Sequence, residues 1–211
     1  MSALERAPGR AWKWGGAALV VRSLAAPVTD RELSPAEQKL VQAARAEHRR
    51  KELQAGRAAA HAALRAVGIR SRVEVLQSAS GRPHLSSNAA AWQLSICHGG
   101  GLAAAIVGQS AVGIDVEPLS RQAQVARVVA GWGQRMGNRH EPDPVLPLPL
   151  ALLQWTAWEA LGKVTGRGVL AGAKLLIRPE LTPAGLTAKL RGRHLRWWTV
   201  QDHVLCAAVA T

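Results

Sequence analysis

Three carboxylates and one lysine are placed where they could do chemistry together. Asp115 and Glu117 stand two apart in VGIDVE, Val112 to Glu117, and Glu159 and Lys163 stand four apart in WTAWEALGK, Trp155 to Lys163. VGIDVE alternates apolar and polar residues like a half-buried strand, so its two acids should project from one face. WTAWEALGK reads as helix, which sets Glu159 and Lys163 one turn apart on one side. Between Glu74 and Glu141 the chain's only acids are Asp115 and Glu117, and between Asp143 and Glu180 the only one is Glu159. In a chain of formal charge +13 that isolation singles them out. A strand-borne D-x-E with one distant helical Glu can form an oxygen cage for a hard divalent cation such as Mg²⁺, which takes few carboxylates and keeps room for water and substrate phosphate. Lys163 would then be a point charge beside that phosphate. A plainer reading fits the same spacing: Asp115 and Glu117 as surface acids of an edge strand, and Glu159 with Lys163 as a surface ion pair worth about 0.2–0.5 kcal/mol.

The elements that must position these residues can be read in order. Residues 1 to 15 are rich in Gly, Arg and Pro and read as irregular, before a short strand at Ala17 to Val21. Ser34, Pro35 and Glu37 occupy the N-cap, N1 and N3 positions of a capping box. Helical composition continues to about Val67 and stops at Gly68, with a break expected near Gly56. The helix is basic, since Arg45, Arg49, Arg50, Lys51 and Arg57 outnumber Glu47 and Glu52; a phosphate-rich ligand and an ordinary solvated face both account for that. Val73 and Val75 alternate as in a strand, and Gly81-Arg82-Pro83 signals a turn. Trp92 to Ile96 and Leu102 to Val107 read as hairpin strands joined by Cys97 to Gly101. His98 then lies at a strand end beside glycines that let a ligand approach the backbone.

Arg121 to Val129 is expected to be helical and Gly131 to Pro149 an extended loop. Leu150 to Val164 is the helix bearing Glu159, closed by Gly166 and Gly168, with Trp155 and Trp158 packed in a core. Lys174 to Arg178, Leu186 to Leu190, Leu195 to Val200 and Val204 to Val209 read as antiparallel strands. The class is α+β.

Composition narrows the function. The 211 residues can bury a real core, as one domain or two half-size lobes. Phe and Tyr are absent and eight Trp supply all the aromatic area. The positive charge predicts attraction to polyanions, whether nucleic acid, an anionic membrane or an acidic protein. Two cysteines are too few for a disulfide framework, no secretory signal is visible, and no stretch is long enough to span a bilayer. A cytoplasmic protein with free thiols is expected. Clustered carboxylates, Mg²⁺ and a basic surface would also suit a metal-dependent nuclease. A non-catalytic nucleic-acid binder is the other alternative, with Trp197 and Trp198, flanked by Arg193 and Arg196, stacking on bases.

VGIDVE together with the Glu of WTAWEALGK resembles the signature pair of the 4'-phosphopantetheinyl transferases, in the single-chain pseudodimeric type that activates carrier proteins. LSICHGG, Leu94 to Gly100, is similar to the family's Ser/His segment, and SGRPHL, Ser80 to Leu85, to its short Gly-basic-Pro turn. All four occur in the family's order between residues 80 and 168. The resemblance implies two similar lobes related by a pseudo-twofold, 1–111 and 112–211, each with helices on an antiparallel sheet and with the active site in the cleft between them. It implies coenzyme A as co-substrate, with Mg²⁺ on Asp115, Glu117 and Glu159. Arg49, Arg57, Arg82, His98 and Lys163 are then the coenzyme A contacts, and Glu159 and Lys163 the catalytic pair. An acidic acyl or peptidyl carrier protein is the implied partner and a monomer the expected state; nucleic acid is not expected, because the charge is spread along the chain and no nucleic-acid motif is visible. The sequence departs from the family in three places. Cys97 stands where Ser is frequent, Trp158 where Lys is common, and 118–149 lacks a clear equivalent of the usual aromatic residues and acidic helix.

Overall fold

The computed structural model describes residues 5–6, 8–135, 146–175, 177–190 and 192–211. It is α+β, with helices and largely antiparallel sheets. The chain divides into two compact units, Ala7–Val112 and Met1–Arg6 with Gly113–Thr211. The first described strand, β1 (Glu5–Arg6), pairs in parallel with Thr199 and Val200 and so belongs to the latter unit. The irregular reading of residues 1 to 15 is thereby corrected twice, because β2 (Ala11–Trp14) is also a strand. It pairs with β3 (Ala17–Ser23) as a local hairpin.

Within Ala7–Val112 the helices are α1 (Pro35–Ala43) and α2 (Glu47–Ala66), followed by β4 (Val75–Gln77), β5 (Pro83–Leu85), β6 (Gln93–Gly99) and β7 (Leu102–Gly108). β4 and β5 form a hairpin, and the main sheet runs β2-β3-β7-β6, all antiparallel. The capping box at α1 forms as expected: Ser34 Oγ accepts from the Glu37 N–H at 3.2 Å, and Glu37 Oε2 accepts from the Ser34 N–H at 2.6 Å. The helix break falls at 44–46, where Ala44 is extended, and not at Gly56. Gly56 stays helical because α2 lies so close to the sheet that a β-carbon there would sit 2.8 Å from Ile96 Cγ2. The alanines Ala59, Ala60 and Ala63 keep the same approach short and pack with Val20, Ala105 and Val107.

The β6–β7 turn needs only Gly100 and Gly101, both at positive φ, as a two-residue hairpin demands. Cys97 and His98 therefore lie in the strand rather than in a loop.

In the other unit, β8 (Val112–Pro118) is followed by α3 (Gln122–Arg135), α4 (Leu150–Thr165), α5 (Val169–Ala173), β9 (Glu180–Thr182), β10 (Gly185–Lys189), β11 (Arg193–Val200) and β12 (His203–Ala210). The sheet order is β8-β12-β11-β10-β9, and β9 to β12 are antiparallel. α4 packs on β12, α3 and α5. α3 continues past the expected Val129 to Arg135, because Val125, Val129 and Trp132 carry its inward stripe on through Trp132, whose ring meets those of Trp155 and Trp158. The rest of the expected loop is partly outside the described residues, at 136–145. The described residues of 174–178 form no strand: Lys174 caps α5, the Leu175 carbonyl accepts from Trp158 Nε1, and Ile177 is buried. Its apolar residues are spent on packing, not on a ladder. No helix among the described residues is long and apolar enough to cross a membrane, and Cys97 and Cys206 are buried free thiols.

Candidate active site

β8 is buried along its whole length, so the expected half-exposed alternation does not occur. Asp115 and Glu117 are each only 7% exposed although β8 ends the sheet order, which removes the reading of them as surface acids. What draws the strand in is Gly113. A β-carbon there would lie 2.0 Å from the Ala160 carbonyl oxygen, so glycine alone lets β8 press against the backbone of α4.

That close approach brings Lys163 of α4 onto the strand. Its Nζ donates to Asp115 Oδ1 at 2.8 Å and to the Ile114 carbonyl at 2.9 Å. The partner of Lys163 is thus the distant Asp115, not Glu159 one turn away. Glu117 accepts from Arg121 Nη1 at 2.9 and 2.8 Å and from Trp155 Nε1 at 3.0 Å. Trp155 therefore holds a carboxylate as well as packing, whereas Trp158 is the core residue expected. Burial raises the Glu117 carboxyl above its usual range and Asp115 raises it further, against Arg121 and Trp155. Burial likewise raises Glu159, with Asp115 and Glu117 adding and Lys163 opposing. The three carboxylates thus lie within electrostatic reach of one another, held by two cationic side chains.

Among the described residues no three His, Cys, Asp or Glu side chains already converge as a metal-ligand set. The chemistry of the donor set nonetheless fits a hard cation. It offers only oxygen, it carries excess negative charge that resists ionisation, and Lys163 already places a cation on Asp115.

The sequence-predicted basic residues lie in Ala7–Val112. Arg49 Nη1 lies 2.7 Å from His98 Nε2 and donates to Glu52 Oε2 at 3.0 Å, and His98 Nδ1 lies 3.0 Å from Glu52 Oε1. Arg49 and His98 are about as exposed as each other, at 40% and 37% of the side chain. Arg57 is buried and donates to the Leu53 carbonyl. Burial pulls its guanidinium pKa down, Glu37 opposes and Arg49 reinforces the fall. Arg57 therefore contributes a field from inside α2 rather than a reaching hand. Arg82 is exposed in the β4–β5 turn, where its N–H donates to Ser78 Oγ.

Sequence reading missed Glu52, Arg121 and the polar role of Trp155. Glu52 had a local signal, since it stands three residues from Arg49 on one helix. Trp197 and Trp198 are 0% and 1% exposed, and Trp197 Nε1 donates to the Leu153 carbonyl and Thr156 Oγ1, so neither presents a face to a base.

Residues 36–108 match the family model for the 4'-phosphopantetheinyl transferase N-terminal domain. That match likens this part of the chain to a superfamily of transferases concerned with 4'-phosphopantetheine transfer. The matched span runs from α1 to the end of β7 and contains Arg49, Arg57, Arg82 and His98; Asp115, Glu117, Glu159 and Lys163 lie beyond it. No curated protein matches the chain.

Proposed function

We propose that this chain is a holo-carrier-protein synthase: it transfers the 4'-phosphopantetheine arm of coenzyme A to a serine of an apo acyl or peptidyl carrier protein and releases 3',5'-ADP. The observation that carries the reading is that the family-matched span is followed, four residues after its end, by a strand whose two buried carboxylates lie within electrostatic reach of Glu159. Asp115, Glu117 and Glu159 would hold Mg²⁺, which when bound neutralises charge on the pyrophosphate. The carrier serine oxygen forms a bond to the β-phosphorus as the bond from that phosphorus to the bridging oxygen breaks, and the serine proton passes to Glu159. A carboxylate whose pKa is raised by burial and by Asp115 is a stronger base than an ordinary one. Lys163, kept in place by Asp115 and the Ile114 carbonyl, supplies a fixed positive charge to the pyrophosphate oxygens. Trp158 cannot take the part of a proton-carrying lysine, because its only polar atom is committed to Leu175.

At the nucleotide end, Arg49 and His98 contact the 3'-phosphate, Arg57 adds positive potential and Arg82 reaches in from its turn. The carrier is acidic, and the charge of +13 steers it to the enzyme. The enzyme works as a monomer in the cytoplasm. The deciding experiment mixes the protein, coenzyme A and Mg²⁺ with apo acyl and peptidyl carriers and measures carrier mass. A gain equal to the phosphopantetheine arm on the carrier serine is expected; no gain on any carrier would sink the reading. Stabilisation of the protein by duplex DNA as large as that by coenzyme A with Mg²⁺, at physiological salt, would favour a nucleic-acid ligand instead.

A further inference from the structure

Arg49, Glu52 and His98 form a closed triangle between α2 and β6, and the chemistry of its corners decides where the protons sit. A guanidinium can only donate and an ionised carboxylate can only accept. His98 Nε2, which faces Arg49, must therefore carry the lone pair, and Nδ1, which faces Glu52, must carry the proton. In that state the ring is neutral and cannot donate to a phosphate oxygen, which has only acceptors to offer.

We propose that Glu52 is a positioning residue for phosphate capture: it fixes the Nδ1–H tautomer of His98 in the free protein and stabilises the imidazolium that forms when a phosphate monoester draws Arg49 away from Nε2. The inference rests on the coenzyme A reading above and gives its 3'-phosphate a coupled proton. Arg49 exchanges a neutral ring nitrogen for charged oxygens, and Nε2, released, takes one proton from solvent and donates it as a hydrogen bond to the same phosphate. Glu52 remains on Nδ1 throughout, so the ring keeps its orientation while its charge changes. The N–H bond formed at Nε2, with its proton from solvent, is the one covalent change. The other charged groups near the ring are already engaged or oppose this change. On α2, the buried Arg57 lies within electrostatic reach of Arg49, whose charge helps to lower the Arg57 pKa, Arg50 is held by the Ala44 and Arg45 carbonyls, and Lys51 pairs with Glu47. On the strands beside β6, β7 carries no ionisable residue and β5 carries only the exposed His84. Glu52 contacts the ring directly, at Nδ1.

The test is titration calorimetry in two buffers of different ionisation enthalpy, with coenzyme A and with dephospho-coenzyme A, on the parent protein, Glu52→Gln and Glu52→Asp. The parent should take up a measurable fraction of a proton with coenzyme A and none with dephospho-coenzyme A. Glu52→Gln should abolish the uptake and weaken coenzyme A about tenfold, as loss of a charge-assisted hydrogen bond predicts, while dephospho-coenzyme A binds as to the parent. Glu52→Asp, which keeps the charge, should recover part of both. Nitrogen NMR of ligand-free protein should show His98 protonated at Nδ1 in the parent and as mixed tautomers in Glu52→Gln. Parent-like proton uptake in Glu52→Gln, or an Nε2–H tautomer in the parent, overturns the role of Glu52 and leaves the transferase reading standing. Failure of the parent to bind either nucleotide overturns the coenzyme A reading and this inference with it.

Discussion

The two charged regions of the molecule solve opposite problems. On β8 and α4 the carboxylates are in excess and buried, and the chain supplies Lys163 and Arg121 to hold them. On α2 and β6 the basic residues are in excess, and Glu52 holds the two partly exposed ones, Arg49 and His98. The first arrangement is tightly held: burying like charges together costs stability, and Lys163 and Arg121 offset part of that cost. The second is adaptable, since half-exposed long side chains can change partners at little cost. A site for a reacting pyrophosphate requires the first kind of rigidity, whereas recognition of a terminal phosphate tolerates the second.

Removing charge from the buried region should have the largest effect. Asp115→Asn keeps an oxygen for Lys163 Nζ but takes away the charge that bears on both Glu117 and Glu159. Carrier modification should fall by about 10²–10³-fold in protein whose circular dichroism is unchanged, and Glu159→Gln should be at least as damaging. Activity within a few-fold of the parent would end the metal-cage model. The same variant sharpens the comparison in the metal-free state: a carbon NMR titration should show the Glu159 carboxyl moving down toward its ordinary range, because a neighbouring negative charge no longer raises it.

Lys163→Ala comes next. Turnover should fall about 10–10²-fold and coenzyme A affinity much less, because a fixed charge beside a transferring phosphoryl group matters most as charge redistributes. An unchanged turnover number would remove Lys163 from the chemistry and leave it as a brace for Asp115.

Acid stability tests a third buried carboxylate that belongs to neither region. Glu37 caps α1, accepts from the Val75 N–H at 2.7 Å and meets His61 Nε2 at 2.9 Å. Burial alone would raise its pKa, but His61, Ser34 and Val75 outweigh burial and hold it below the usual range. A carboxyl depressed on folding contributes stability that is present above its unfolded pKa and lost as pH falls through the folded value. Denaturation midpoints should therefore drop below about pH 4.5, the ordinary carboxyl range, by less in Glu37→Gln than in the parent; equal slopes would deny the residue this role.

The smallest effect should come from Trp155→Phe, which keeps the ring contact with Trp132 but removes the donor to Glu117. A loss of about 1–2 kcal/mol in urea unfolding and a reduced turnover number are expected; no change in either would return Trp155 to simple packing.

What could be read from the chain by itself is what neighbours in sequence determine. The Ser34–Glu37 box closes over three residues, the glycines after His98 mark a hairpin connection, and the 150–165 helix carries its own stripe and its glycine cap. The candidate carboxylates were legible too, because they stand alone in a basic chain. The tertiary structure decided what depends on distance in sequence. It gave Lys163 to Asp115 and not to Glu159, turned Trp197 and Trp198 inward, kept Gly56 inside a helix and ended one at Ala44, and spent Leu175 and Ile177 on packing. Each is settled by which backbones approach closely enough to exclude water. Gly113 shows how little warning the sequence carries: an absent β-carbon lets β8 reach α4, and so buries the acids that composition alone would have left at the surface.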